Sequence, residues 1–305
     1  LSTYHDILKL KLRVGIVGLG LIGGSLGLAL RRKGVEVSGY ARTGEKGDMA
    51  LKRGGVDGLE ESIGSLAQSS EVVIIATPIQ AIKEVFKELA KFSPLPVITD
   101  TASTKVEVMN WATKYLPPGT PFIGGHPMSG RETWGIEFAQ EDLFEGCTYC
   151  LTPPEDTPKE AIDKVLDLTG KIGAYPLFLN AREHDRLVAG ISHLPMLLSC
   201  ALVLTTAESQ DWPGMSRLAS SGYRDLTRLA SQRPELTSDI LITNKQNVSL
   251  WASRFREELK RLCELSDCDL EEEISRANAY RQSWLHDTPN KGLFQSSGRD
   301  LSSGG

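Results

Sequence analysis

Positive charge is in deficit in this 305-residue chain: 34 Lys and Arg stand against 39 Asp and Glu, a formal net charge of −5. That balance argues against a nucleic-acid binder, which usually shows a basic face. Cysteine is also sparse, five residues with no metal-ligand spacing. An odd count without spacing predicts neither a disulfide framework nor a zinc site. It suits reduced thiols in a cytoplasmic, cytosol-like compartment. Cys147 and Cys150 form a C-x-x-C pair within a strand-like stretch, where an offset of three sends the two side chains to opposite faces. No ligand cluster predicts a metal. No apolar run reads as long enough to span a membrane. Residues 1–12 mix charges with single apolar residues, unlike a signal-peptide core. No internal repeat is visible. What remains is an ordinary soluble composition, 40% hydrophobic and 24% charged, with length for about two domains.

Strand-like runs at 13–18, 35–40, 71–77, 97–100, 121–125, 149–152 and 174–179 alternate with helical spacing at 21–33, 79–92, 104–115 and 158–172. Such alternation predicts a doubly wound α/β unit over residues 13–180, a mostly parallel sheet covered on both faces. Beyond residue 180 strand candidates vanish, and helical segments at 183–208, 215–230, 234–266 and 270–285 define a second unit over 181–287. An all-helical unit with apolar faces after a nucleotide domain fits dimerisation and closure of a site, by analogy. Residues 1–12 read as an extension, and the small polar residues of 288–305 as a disordered tail.

The first strand runs into Gly18-Leu19-Gly20-Leu21-Ile22-Gly23 and then a helix. Strand, glycine turn and helix together make a dinucleotide-binding, Rossmann-type fingerprint. Gly18 serves the tight turn, Gly20 lets backbone approach a pyrophosphate, and Gly23 lets helix pack on strand. The amides at the helix start, from Leu21 and Ile22 on, face the phosphates. The second strand ends Gly39-Tyr40-Ala41-Arg42-Thr43, without the acid that binds ribose hydroxyls in NAD sites. A guanidinium attracts a 2′-phosphate, so Arg42, with Thr43 adding a hydroxyl, predicts NADP. The alternative is a solvated loop arginine. Thr77-Pro78 follows the next long strand and lines the nicotinamide side; alone, Pro78 reads equally as a helix-starting proline.

Four further segments carry chemistry. Pro-Phe-Ile-Gly-Gly-His-Pro-Met-Ser-Gly at 121–130 puts His126 after a short strand, within a Gly/Pro turn, where an imidazole accepts a proton near neutral pH. Ser103 follows the strand ending at Asp100, as a site hydroxyl, a helix N-cap, or both. His193, in Ile-Ser-His-Leu-Pro, reads locally as a core or capping histidine. Arg224 and Arg228 share one helical face if that helix continues, and surface salt bridges account for them equally well. A base, a hydroxyl and guanidinium groups suit a hydroxylated dicarboxylate.

These segments resemble the prephenate/arogenate dehydrogenases of tyrosine biosynthesis. The match runs through Gly-Leu-Gly-Leu-Ile-Gly-Gly-Ser at 18–25, Ala-Thr-Pro at 76–78, Thr-Asp-Thr-Ala-Ser-Thr-Lys at 99–105 and Gly-Gly-His-Pro-Met-Ser-Gly at 124–130. It continues through Ile-Ser-His-Leu-Pro at 191–195 and Ser-Gly-Tyr-Arg-Asp-Leu-Thr-Arg at 221–228. The flavour is that of the NADP-using arogenate enzymes of cyanobacteria. The resemblance implies a homodimer that oxidatively decarboxylates arogenate, or alternatively prephenate. It makes His126 the acceptor of the ring 4-hydroxyl proton and Ser103 its aligning partner. Arg228 becomes the carboxylate binder, assisted by Arg224, with His193 shaping the pocket and Glu132 and Asp225 orienting the arginines. Arg131 departs from the small or hydroxyl residue many relatives carry, which bears on side-chain recognition. Two rivals remain. A β-hydroxyacid dehydrogenase or imine reductase would place a lysine where this chain has His193. A non-catalytic NADP-binding sensor would need the glycines but not His126, Ser103 and Arg228 together.

Overall fold

The structure is a computed structural model that describes residues 12–130 and 132–287. The expected tail at 288–305, all but the last residue of the extension at 1–12, and Arg131 lie outside the described residues. Among the described residues eight strands form one sheet: β1 Arg13–Val17, β2 Glu36–Tyr40, β3 Gly58–Leu59, β4 Val72–Ile75, β5 Val97–Asp100, β6 Phe122–Pro127, β7 Thr148–Thr152 and β8 Tyr175–Phe178. Their order is β3-β2-β1-β4-β5-β6-β7-β8. The sheet is parallel except where β7 runs antiparallel to β6, with His126 opposite Cys150. Strand order reverses between β1 and β4, and that switch point opens the crevice where such sheets bind ligands.

The central strands are apolar throughout because helices cover both faces; β4 is Val-Val-Ile-Ile, all buried. The sheet-covering helices are α1 Leu21–Arg32, α2 Gly44–Lys52, α3 Ile63–Ser69, α4 Ile82–Leu89, α5 Val106–Tyr115 and α6 Lys159–Lys171. One core lies under α1 and α6, joining Ile16, Leu26, Leu30, Ile74 and Phe144. The other lies under α3, α4 and α5. There Phe86 meets Phe122 edge-on, ring centroids 5.2 Å apart, a geometry worth about 0.5–1.5 kcal/mol beyond area burial. The sequence pattern predicts no strand or helix over 41–70, yet that stretch supplies α2, β3 and α3. Cys147 sits just ahead of β7 and packs into the first core, while Cys150 lies within the strand.

Helices follow from Ala181 on: α7 Ala181–Val188, α8 Leu194–Ala207, α9 Trp212–Leu218, α10 Ser221–Thr227, α11 Pro234–Thr243, α12 Lys245–Cys263 and α13 Asp267–Asp287. Asn180 starts the series, its side chain accepting from the Glu183 amide at 2.9 Å. A π-helical turn, Ala189–His193, joins α7 to α8. Two expected long helices are broken. The 215–230 segment divides at 219–220, and 234–266 divides at Asn244, whose side chain is held by Asp185 and His193. The absence of a membrane-length apolar run also fails. Ala181–Ala207 is one helical run long and apolar enough to cross a membrane, with mean hydropathy 2.0 over its best window. Its first half carries buried His184, Asp185 and His193, which tie it to the sheet unit and to Asn244. Ile191, Leu204, Leu218, Leu226 and Ile242 remain more than half exposed, and α9 and α10 bury none of their residues.

Candidate active site

The glycine turn leaves β1 with Gly18 at φ +100°, and a Cβ there would meet the Ala76 carbonyl oxygen at 2.6 Å. Gly23 approaches the Gly18 carbonyl so closely that a Cβ would stand 1.9 Å from its oxygen. Around Gly20, by contrast, a Cβ would meet nothing within 4 Å. Gly20 is the N-cap of α1, whose first turn carries no side-chain cap and no acid. Free helix amides beside open space, from Leu21 and Ile22 onward, fit a pyrophosphate. Arg42 is exposed at the end of β2, and Thr43 is the N-cap of α2 with its hydroxyl uncommitted. Half-buried Thr77 and exposed Pro78 follow β4, Pro78 starting a 3₁₀ turn. All of these lie at the carboxyl ends of β1, β2 and β4, where a dinucleotide crosses the switch point.

His126 lies in β6 itself, not in a turn as expected. The sequence Gly-Gly-His-Pro is drawn into the ladder by its antiparallel partner β7. The residue is 7% exposed. Burial holds its pKa well below the ordinary 6.5, with His184, Lys105 and His193 acting in the same direction, so it is neutral and able to accept a proton. Its Nδ1 lies 2.9 Å from His184 Nε2; nothing among the described residues bonds its Nε2. Ser103 sits half-buried in the loop from β5 to α5. It is not the N-cap: Lys105 holds that position, and the α5 amides are capped from outside by Asp185, which accepts from Lys105 N–H at 2.7 Å and Val106 N–H at 2.9 Å.

His193 is fully buried in the π turn. Asn244 Nδ2 donates both to the Asp185 carbonyl, at 2.7 Å, and toward His193 Nδ1, at 3.1 Å. The carbonyl can only accept, so the amide orientation is settled, and His193 Nδ1 is an acceptor. Its Nε2–H is then a buried donor without a partner among the described residues. Burial pulls His193 down to about 4, with His184 adding and Asp185 and the Ser103 backbone opposing. Arg224 and Arg228 do not share a continuing helix: α10 ends at Thr227, and Arg228 is its C-cap. Both are exposed, and the Arg228 guanidinium is paired with the Glu132 carboxylate from the loop after β6.

Sequence reasoning passed over the groups beneath these. Asp100 and Lys105 form a fully buried ion pair, Nζ to Oδ2 2.5 Å. Lys105 also donates to the Gly125 carbonyl, and Asp100 accepts from the Gly125 and Ala102 amides. His184 and Asp185 were likewise missed; a His-Asp step at a helix start carries no local signal.

Buried neutral histidines make stability acid-sensitive. Above pH 6.5 neither state protonates them. Below it the unfolded chain binds protons that folded His126 and His193 refuse, so stability falls by about 1.4 kcal/mol per pH unit for each. The urea midpoint should therefore drop from pH 7 to pH 5, and less steeply in His126→Asn. An equal drop in both proteins would remove His126 from this account.

The domain models for the prephenate dehydrogenase nucleotide-binding domain and dimerization domain match residues 26–176 and 180–277. Prephenate dehydrogenase of Bacillus subtilis is 36% identical over 245 residues, 79% of this chain and 66% of that protein; the chain thus spans about two thirds of that relative's length. The crystal structure of Synechocystis arogenate dehydrogenase superposes with a TM-score of 0.75 at 31% identity, covering 90% of this chain and 100% of the other. Prephenate dehydrogenase from A. aeolicus, in complex with hydroxyphenyl propionate and NAD+, gives 0.83 at 29% identity, covering 89% and 98%. With both halves matched in order on one doubly wound sheet and its helical partner, the chain belongs to the prephenate/arogenate dehydrogenase family.

Proposed function

We propose that this chain oxidatively decarboxylates arogenate to tyrosine with NADP+, acting as a homodimer in a reducing, cytosol-like compartment. The observation that carries the reaction is His126, a buried neutral imidazole with an uncommitted Nε2 at the carboxyl edge of the sheet. A bound nicotinamide would supply the acceptor for the hydride lost from C4 of the cyclohexadienol. As C4–H breaks, the 4-hydroxyl becomes a carbonyl and its proton passes to His126 Nε2. The ring carboxylate then leaves as CO2, its bonding pair aromatises the ring, and the oxygen recovers the proton from His126. Ser103 aligns the hydroxyl, His193 offers its Nε2–H to the substrate, and Arg228 binds a substrate carboxylate, with Arg224 beside it. Exposed apolar residues on the helical unit suit burial against a second copy. The thiol of Cys147, pushed up to about 12 by burial, suits reduced cysteines.

The Synechocystis likeness favours arogenate; the Bacillus relative favours prephenate as the second reading. A steady-state matrix of arogenate or prephenate with NADP+ or NAD+, followed by reduced-nicotinamide absorbance, separates them. Turnover confined to arogenate and NADP+ is expected. Turnover of prephenate alone would overturn the substrate assignment, and silence in every combination the activity.

Two variants test the binding groups. Arg42→Ser should raise KM for NADP+ by roughly 10- to 100-fold, the worth of a charged hydrogen bond, and leave NAD+ kinetics nearly unchanged. Equal effects on both cofactors would remove Arg42 from 2′-phosphate recognition. Arg228→Ala should lower kcat/KM by roughly 10- to 100-fold, chiefly through KM, by removing a carboxylate contact. Unchanged kcat/KM would take Arg228 out of the site.

A further inference from the structure

A chain of hydrogen bonds runs inward from His126. Its Nδ1 is 2.9 Å from His184 Nε2, and His184 Nδ1 is 2.8 Å from Asp185 Oδ1. The two rings stand nearly edge to face, interplanar angle 70°, and His184 and Asp185 are at most 1% exposed. Asp185 is fixed independently of the histidines. Its two carboxylate oxygens cap α5 through Lys105 N–H and Val106 N–H, and its carbonyl is held by Asn244. It cannot rotate without uncapping a helix.

These contacts decide where the protons lie. A carboxylate only accepts, so His184 Nδ1 carries a proton. A neutral His184 then presents a bare Nε2, which must accept from His126 Nδ1–H. That leaves the lone pair of His126 on Nε2. The reverse assignment needs an imidazolium at His184, ion-paired with Asp185, and would leave the only lone pair of a neutral His126 on Nδ1, turned away from the substrate and unable to take its proton.

We propose that His184 and Asp185 are positioning residues: they hold His126 as the Nδ1–H tautomer and keep its Nε2 lone pair for the substrate. The proposal rests on the reading of His126 as the proton acceptor. His126 belongs to the sheet, while His184 and Asp185 belong to α7 of the helical unit. The base therefore has its working tautomer only when the two units are docked. A carboxylate behind a histidine fixes tautomer and orientation in the same manner in hydrolase triads, where a wrong tautomer costs about 10⁴-fold in rate.

The test is ¹⁵N NMR of the full-length protein labelled on histidine. The chain has only five histidines, and His126→Asn identifies the His126 signals. Near pH 7.5 the wild type should show a protonated Nδ1 and an unprotonated Nε2 at His126. The opposite pattern overturns the proposal whether or not any variant turns over. The measurement needs no activity, so failure of the functional reading would appear separately, as a silent steady-state assay. His184→Leu removes the acceptor. It should lose the tautomer preference and lower kcat by about 10²-fold or more, with KM for substrate and cofactor little changed. His184→Gln keeps an oxygen that can accept from His126 Nδ1, and should restore the Nδ1–H signal and about tenfold of the lost kcat. A leucine variant with wild-type kcat, or a glutamine variant no better than leucine, would reduce His184 to core filling.

Discussion

Replacing His126 by asparagine should lower kcat by about 10²–10⁴-fold and move KM for substrate and cofactor by no more than about threefold. The size follows from the lack of any substitute. Hydride loss from C4 turns the hydroxyl oxygen into a carbonyl, so its proton needs an acceptor at that moment. His193 cannot take it: its Nδ1 is occupied by Asn244, and its Nε2 is a donor. Lys105 is committed to Asp100 and to the Gly125 carbonyl, deep beneath the strand. Ser103 is a hydroxyl and no base near neutral pH. The sheet and the glycine turn are untouched by the change, so binding should survive. Steady-state kinetics on the folded variant check this, with circular dichroism to show that β6 is intact. A kcat within a few-fold of wild type would mean that the proton leaves by another route and that His126 is a core histidine.

How far such a site can be read in a sequence depends on the range of the contacts that give each residue its meaning. The glycine turn is legible because its constraints are local. Gly18 needs a positive φ, and Gly23 must meet a carbonyl five residues away. The parallel strands are legible because burial on both faces makes them unbroken apolar runs. The helix α2 is not, because Gly-Glu-Lys-Gly-Asp-Met-Ala-Leu-Lys buries only Gly47 and Ala50. Nor is the antiparallel turn-around of β7, since strand direction leaves no trace in side-chain alternation. That reversal is what puts His126 in a strand instead of a turn. The residues that tune the site escape for the same reason. Asp185 caps α5 from 80 positions away, and Asn244 reaches Asp185 across 59. A tertiary cap also explains why Ser103, a plausible N-cap on local grounds, is left free for other work.

The second large effect is expected on stability. Lys105→Met should destabilise the fold by about 3–5 kcal/mol, read as a lower urea midpoint at unchanged slope, because it strands the Asp100 carboxylate in a site with no exposure. Burial pulls the Lys105 pKa down, and Asp100 holds it up; each charge is tolerable only through the other. The test of that cause is the double variant Lys105→Met with Asp100→Asn. The neutral pair removes the abandoned charge and should recover part of the loss; the recovery is incomplete because an asparagine oxygen accepts from only one of the Gly125 and Ala102 amides that the two Asp100 oxygens serve. If the single variant keeps the wild-type midpoint, or the double is no more stable than the single, the pair is not what holds β5 to β6. Recovery of stability need not bring recovery of rate. Asp100 and Lys105 grip the Gly125 amide and carbonyl from both sides, and Asp100 also accepts from Ala102 at the start of the Ser103 loop. A methionine at 105 restores none of the grip on the carbonyl one residue before His126. The double variant should therefore regain part of its stability and still turn over slowly, which separates the energy of the pair from its use in aligning the base and the hydroxyl.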